Sequence, residues 1–449
     1  MRALAVRVVL LALAGPMLCM GTPAHAGEAP GDSLLNAYVR SMKDWTDALF
    51  GTSAAPVDTA GLDSALAAGL LHPPGWHGGR RHRLGFDWGP SLGFNRVDGG
   101  QLGLSATVST PRTGDVSGKL QYTTGTKDWL GEGAWSDSWP LDALRSRLGV
   151  RLAAGRYTPA FDRDGYEPIL TSLNALFAAQ DYHHYLRRDG FIGSLRLSGE
   201  EAYATVGWRD QLESPLPYTT SWFLFGHGPV VPFNDTATFG RMRELSLGGD
   251  VTLPRTRFRV NGEYWTSDPS LGSDMLYRRT RVSAGGDISV GRHFSLVPQA
   301  TYGILRGETP PQEAFYLGGV GNLRTLKRNE LAGAGRLFGR VDLILVDELE
   351  RSLHIPIPGQ LPVQFGLFMS SGAVWGRDPA SGDAVPTTRV TPRRDEFLSE
   401  VGAGLMWRLG IPRPLTSLRI EVAFPLGADR RGVGYTAAYQ EPLNLLPWR

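Results

Sequence analysis

The sequence predicts an all-β fold, namely a transmembrane antiparallel β-barrel of about 16 strands preceded by a short helical segment. Three observations predict it. From about residue 83 onward, apolar and polar residues alternate with a period of two, as in Leu418–Phe424. The polar positions of these stretches carry charges and glycines, which a water-filled lumen accepts. Aromatic residues such as Trp129, Trp135 and Trp375 cluster near the ends of the stretches, where membrane interfaces favour them.

The N-terminal residues 1–26 have the pattern of a secretory signal peptide. Arg2 and Arg7 supply positive charge, an apolar stretch follows, and the sequence AHA at 24–26 is a small-residue cleavage site. Cys19, the single cysteine, lies in this segment, so the mature protein is expected to hold no disulfide and no cysteine metal site. Removing the segment lowers the formal net charge from +2 to about 0, which argues against a nucleic-acid partner.

Residues 27–81 are expected to form a short helical segment, either in the periplasm or plugging the barrel. Asp32–Phe50 places apolar residues at helical spacing, and Asp58–Leu71 is compatible with a second helix that ends before Pro73. A tether without fixed structure is the alternative. The apolar stripe of the first helix favours a helix or a plug, because such a stripe needs burial.

Residues 82–449 are expected to form the barrel. A water-soluble β-sandwich also alternates, but the charges and glycines inside the strands favour the membrane barrel. Long connections near 157–189, 212–241 and 305–335 are expected on one side of the membrane. The candidate strands lie near 83–94, 100–110, 115–124, 129–138, 145–156, 189–199, 201–211, 242–253, 256–266, 277–290, 292–304, 335–347, 363–375, 398–409, 415–425 and 432–440.

One loop sequence stands out among these connections. Phe315–Leu326 reads FYLGGVGNLRTL and places Arg324 in an otherwise uncharged, glycine-rich stretch between two strands. With the strands that follow, it resembles the superfamily of outer-membrane β-barrel insertases, two-partner-secretion transporters and bacterial surface antigens. The resemblance covers roughly residues 315–439. It implies that the loop folds back into the barrel, with Gly318 and Gly319 as its Gly-Gly pair and Arg324 as a lumenal latch.

The same resemblance implies an acidic partner for the loop arginine in a Phe-x-Asp-x-Gly pattern on the next-but-one strand. That strand reads FMSSGAVW over Phe368–Trp375, so Ser370 stands where the aspartate is expected. A buried guanidinium needs an anion, because an unpaired internal charge is costly. We therefore expect Asp342, on the polar face of the preceding strand, to be the substitute partner of Arg324. A solvated loop arginine is the alternative.

Two further segments are similar to motifs of outer-membrane barrels related to this superfamily. The sequence FNRVDGGQLGL supplies Asn95, Arg96 and Asp98, and DYHHYLRRDGF supplies Asp181, Tyr182 and Tyr185. The residues imply a structural network in which Arg96 and Asp98 pair across neighbouring strands or with the inner loop. The alternative is an ordinary charged turn.

The resemblance implies a gated pore of the bacterial outer membrane that serves translocation or membrane-protein assembly, and not an enzyme. Its partners would be outer-membrane lipid, a translocated or inserted polypeptide and periplasmic proteins. A passive porin is the first alternative. A barrel hydrolase using Asp181 and His183 is a remote one, since no nucleophile motif accompanies them. No cofactor or metal is expected, because adjacent histidines such as His183 and His184 point opposite ways on a strand.

Overall fold

The computed structural model describes residues 85–439 except for short internal gaps. The gaps are 111–112, 142–144, 162–170, 173–174, 178, 180, 182, 217–219, 221, 228–233, 235–236, 254–257, 320, 346–362, 409–416 and 428–431. The predicted signal peptide and the predicted helical segment 27–81 lie outside the described residues and stay predictions. Within the described part of the chain, no helix is long and apolar enough to cross a membrane.

The architecture is one large antiparallel sheet in which each strand pairs with the next along the chain. Its strands are β1 Gly85–Asn95, β2 Gly99–Thr110, β3 Gly114–Thr123, β4 Trp129–Leu141, β5 Ser146–Tyr157, β6 Leu186–Ser198, β7 Ala202–Pro215, β10 Gly240–Leu253, β11 Phe258–Ser267, β12 Tyr277–Gly285, β13 Ile288–Val290, β14 Phe294–Gly307, β17 Gly335–Leu345, β18 Val363–Trp375, β19 Leu398–Arg408, β20 Ser417–Leu426 and β21 Gly434–Tyr439. The connections contain two short hairpins, formed by β8 Trp222–Phe223 with β9 Gly226–His227 and by β15 Phe315–Leu317 with β16 Leu331–Gly333.

The strand number predicted from the sequence is confirmed. β12 and β13 both pair with β14 and are separated only by residues 286–287, so they form one interrupted strand. Counted this way, the described residues form 16 strands in the main sheet. Such an interruption leaves the alternation of the flanking residues intact, which is why the sequence shows one continuous strand there.

The alternation of the strands separates an inner face from an outer one. On β10, Met242, Glu244 and Ser246 are buried, whereas Leu245 and Leu247 on the other face of the strand are exposed. Exposed leucines and valines recur at every second position of the other strands, as expected for a lipid-facing surface. The charged positions therefore point into the lumen.

The four longest connections lie at one end of the sheet, because consecutive strands run in opposite directions. They are residues 158–185, 216–239, 308–334 and 376–397, and the tight turn 96–98 lies at the same end. In bacterial barrels the longer loops are extracellular. The two front motifs and the glycine-rich loop thus meet at the expected extracellular end.

The connection 308–334, called the inner loop below, lies inside the curved sheet. Leu317, Leu323 and Leu326 of the loop are buried in one cluster with Phe338 of β17 and Val374 of β18. The segment before β15 contacts β6, β7 and β12, and of these β6 and β7 lie far from β17 and β18 in the sheet order. A sheet whose distant strands touch one loop must wrap around it, so the loop occupies the lumen.

Candidate functional site

The tip of the inner loop docks on an acidic site in the barrel wall. The guanidinium of Arg324 pairs with the carboxylate of Glu421 on β20. The backbone N–H groups of Arg324 and Thr325 donate to the carboxylate of Glu400 on β19, at 3.0 and 2.9 Å. The Thr325 hydroxyl donates to the same carboxylate at 3.0 Å. The side chains of Arg324, Glu400 and Glu421 are all buried.

The partner of Arg324 differs from the sequence prediction. Asp342 accepts from Arg340 Nε at 2.7 Å and also pairs with Arg419 of β20, so both of its oxygens are already engaged. Glu421 contacts the same two arginines through Oε1, and its Oε2 contacts Arg324. The expectation that Asp342 pairs directly with Arg324 is therefore wrong. Asp342 neutralises the wall arginines beside Glu421.

Ser370 does not substitute for the family aspartate as a partner of Arg324. It is buried opposite Arg340 and Glu400 in the strand register, and its hydroxyl has no hydrogen-bond partner among the described residues. The ring of Phe368 lies against the loop arginine, with its centroid 5.0 Å from the Arg324 guanidinium carbon. The aromatic residue of the family pattern thus supports the guanidinium from β18 where the aspartate is missing.

Glycines permit the close approach of the loop to itself and to the wall. Gly318 and Gly319 adopt φ of 127° and 82°, and a Cβ on Gly318 would lie 2.2 Å from the Lys327 carbonyl oxygen. A Cβ on Gly434 of β21 would lie 2.2 Å from the carbonyl oxygen of Arg324. The predicted Gly-Gly pair therefore makes the turn of the loop, and Gly434 lets its tip reach the last strand.

The two front motifs come together at the mouth of the barrel. The backbone N–H of Arg96 donates to the Asp181 carboxylate at 3.1 Å, and the Arg96 guanidinium donates to the Asp181 carbonyl oxygen at 2.9 Å. The Tyr185 hydroxyl donates to the same carboxylate at 3.2 Å. The side chain of Asn95 accepts from the N–H of Asp98 at 2.6 Å and so shapes the turn. Tyr182 lies outside the described residues.

Arg96 and Asp98 contact different partners. Arg96 contacts Asp181 in the segment before β6, and Asp98 contacts the start of β6 itself. Asp98 pairs with Arg187 of β6 at 3.1 Å. Asp181 also accepts the backbone N–H of His183 at 3.1 Å, so its carboxylate has structural partners on several sides. Within the described residues, no group of three or more histidine, cysteine, aspartate or glutamate side chains is placed to hold a metal ion.

His184 joins this network to the inner loop, a role that sequence reasoning missed. Its Nδ1 lies 3.1 Å from the Arg96 guanidinium, and its ring stacks on Tyr316 of β15 with centroids 6.4 Å apart. Burial and the nearby charge of Arg96 lower the pKa of His184 to about 3. The histidine is therefore neutral at physiological pH and can accept from Arg96. The repeated histidines were the only sequence signal for it.

Comparisons with known proteins agree with this geometry. Residues 248–436 match the Omp85 superfamily domain. The chain is similar to the crystal structure of BamA from Haemophilus ducreyi lacking POTRA domains 1-3, with 14% identity and a TM-score of 0.51, over 93% of this chain and 79% of that one. No curated protein sequence matches.

Weaker similarity extends to CdiB structures. For CdiB from Escherichia coli the identity is 15% and the TM-score 0.42, over 79% of this chain and 62% of that chain. For CdiB from Acinetobacter baumannii the identity is 12% and the TM-score 0.39, over 79% of this chain and 65% of that one. These scores carry no structural argument, and the chain spans less than two thirds of either CdiB. Residues 248–436 of this outer-membrane β-barrel thus carry an Omp85 superfamily domain, and the BamA structure shares the barrel fold.

Proposed function

We propose that the protein is a gated outer-membrane barrel for polypeptide translocation or membrane-protein assembly, and that the inner loop is its gate. The observation that carries the proposal is the docking of Arg324 on Glu421 inside the lumen. The match of residues 248–436 to the Omp85 superfamily domain supports a role in handling polypeptides. Periplasmic proteins that deliver such a polypeptide are the expected partners.

The chemistry of the docking site suits a contact that must hold and release. Breaking a buried ion pair by removing one partner typically costs about 3–5 kcal/mol, which is enough to keep a loop docked. Around the tip, Arg324, Arg340 and Arg419 face Asp342, Glu400 and Glu421, so the formal charges balance only while the loop is docked. A polypeptide that brings its own polar groups could replace the loop at low electrostatic cost.

A passive porin is less well supported. A porin needs a permanently open water-filled path, whereas this loop buries Leu317, Leu323 and Leu326 against the barrel wall. Packing of this kind fixes the loop across the lumen. An open constriction would instead be lined by exposed charged residues.

Single-channel recording of the purified protein in a planar bilayer tests the proposal. The wild-type protein is expected to be closed most of the time with rare openings, and Arg324→Ala should raise the open probability. Lys327→Ala is the matched control, because it removes an exposed cation of the same loop. A large steady current through the wild-type protein, unchanged by Arg324→Ala, would favour the porin.

A further inference from the structure

We propose that Glu313 is a second ionic anchor of the inner loop. It is a positioning residue that holds residues 308–314, called the limb below, independently of the loop tip around Arg324. The inference rests on the proposed function only for the role of the loop as a gate. Glu313 lies on the limb that descends into the lumen, and Arg324 lies beyond β15. The two residues carry opposite charges and dock on opposite parts of the wall.

The site of Glu313 is built from arginines of three strands. Its Oε1 lies 3.2 Å from Arg209 of β7 and 3.6 Å from Arg188 of β6. Its Oε2 lies 3.7 Å from Arg279 of β12. Glu313 is only 5% exposed, Arg188 4% and Arg209 8%, so these charges interact with little solvent between them.

Without the loop, the wall around this site has one more positive charge than negative charges. Arg188 pairs with Glu213 at 2.6 Å, and Arg209 pairs with Glu244 at 2.7 Å. Arg279 has aromatic neighbours, with the Phe315 centroid 4.7 Å from its guanidinium carbon. Three arginines thus face two wall carboxylates, and Glu313 supplies the third.

The opposite wall shows the reverse imbalance. Around the tip, Arg340 and Arg419 face Asp342, Glu400 and Glu421, so that part of the wall has one excess negative charge until Arg324 docks. The loop therefore carries each charge to the wall that lacks it. Buried charges left unpaired are costly, so this complementarity fixes which end of the loop docks where.

The local backbone positions Glu313 before any side-chain contact forms. Pro310 and Pro311 restrict the chain where it enters the short 3₁₀ turn Pro311–Glu313. The side chain of Gln312 donates to Glu213 at 3.0 Å and to the Thr238 carbonyl oxygen at 3.0 Å. The limb is thus held rigidly against β7. Release of the tip at Arg324 would leave this limb in place, and the tip would move about it.

Cysteine labelling in the assembled full-length barrel tests the two anchors separately. Ala314→Cys reports on the limb and Asn322→Cys on the tip, since both native residues are buried. The chain's own cysteine, Cys19, lies in the predicted signal peptide. Glu313→Gln should raise the rate at which a water-soluble maleimide labels Ala314→Cys by about tenfold or more, with less than about twofold change at Asn322→Cys.

Matched variants make the result specific to the carboxylate. Glu308→Gln removes an exposed carboxylate of the same loop and should change neither rate. Glu313→Asp keeps the charge and should restore most of the protection. If Glu313→Gln does not assemble, Arg279→Gln replaces it, because it removes the most distant of the three arginines and should still raise labelling at Ala314→Cys.

Two outcomes would overturn the second anchor: unchanged labelling at Ala314→Cys, or equal increases at both reporters, which would mean one cooperative latch. Neither depends on channel opening. A protein that never gates would contradict the proposed function while leaving the labelling result valid. Gating by Arg324 with unchanged labelling would contradict only the role of Glu313.

Discussion

The imidazole of His184 stacks on the ring of Tyr316, with the planes inclined by 29°. The contact joins the mouth network around Arg96 to the first strand of the inner loop. The loop is therefore held at three places: by the ring stack at the mouth, by Glu313 on one wall and by Arg324 on the other. Of these three contacts, only the ring stack contains a histidine, His184, whose ordinary pKa in an unfolded chain is near neutral.

The stability of the folded barrel should fall as the pH drops from about 6.5 toward 3. In the folded protein the pKa of His184 is lowered to about 3, against 6.5 for an ordinary histidine. Between these values the unfolded chain binds a proton that the folded chain does not, so stability is lost on acidification. The contribution is at most about 1.4 kcal/mol per pH unit. His184→Gln should reduce the pH dependence of the urea-unfolding midpoint across this range, whereas His293→Gln in an exposed turn should leave it unchanged. An equal slope in all three proteins would contradict the prediction.

The pair of Arg324 and Glu421 should show energetic coupling. Arg324→Gln leaves a buried carboxylate short of one partner, and we expect the free energy of unfolding to fall by about 3 kcal/mol with unchanged strand content. Glu421→Gln should lower the free energy of unfolding by less in the Arg324→Gln protein than in the wild-type protein. Unfolding in urea followed by tryptophan fluorescence gives the double-mutant cycle. Strict additivity of the two changes would show that the residues do not interact.

Asp342 should stabilise the wall without holding the loop. Asp342→Asn removes the charge that faces Arg340 and Arg419, so the barrel should lose stability by about 3 kcal/mol. The tip should nevertheless stay docked on Glu421. Maleimide labelling of Asn322→Cys should be nearly unchanged in Asp342→Asn and faster in Glu421→Gln. The opposite order would restore Asp342 as the direct partner of Arg324.

A methyl group on β21 should displace the loop tip. The Cβ of Gly434→Ala would lie 2.2 Å from the Arg324 carbonyl oxygen, a distance that requires the backbone to move. We expect a higher open probability in planar bilayers, similar to that of Arg324→Ala. Gly432→Ala is the control, because a Cβ there meets no atom within 4 Å. Identical recordings from the two alanine variants would contradict tip docking on β21.

The sequence by itself determined the strands and the direction of their side chains. Alternation is a local property, so the predicted strand 398–409 matches the observed β19 Leu398–Arg408 closely. The inward direction of Asp342 and Glu421 follows from the same rule. The inner loop was expected from the resemblance of its glycine pair and Arg324 to the superfamily motif.

Only the tertiary structure decided which inward residues meet. Asp342 and Glu421 are equivalent in the sequence pattern, and the structure places both within reach of Arg340 and Arg419. It is Glu421 that also contacts Arg324. The contacts of Glu313 with β6, β7 and β12 likewise depend on how far the limb descends into the lumen. The alternation of a strand sets the side from which a charge projects, whereas sheet curvature, register and loop depth set the partner that it meets.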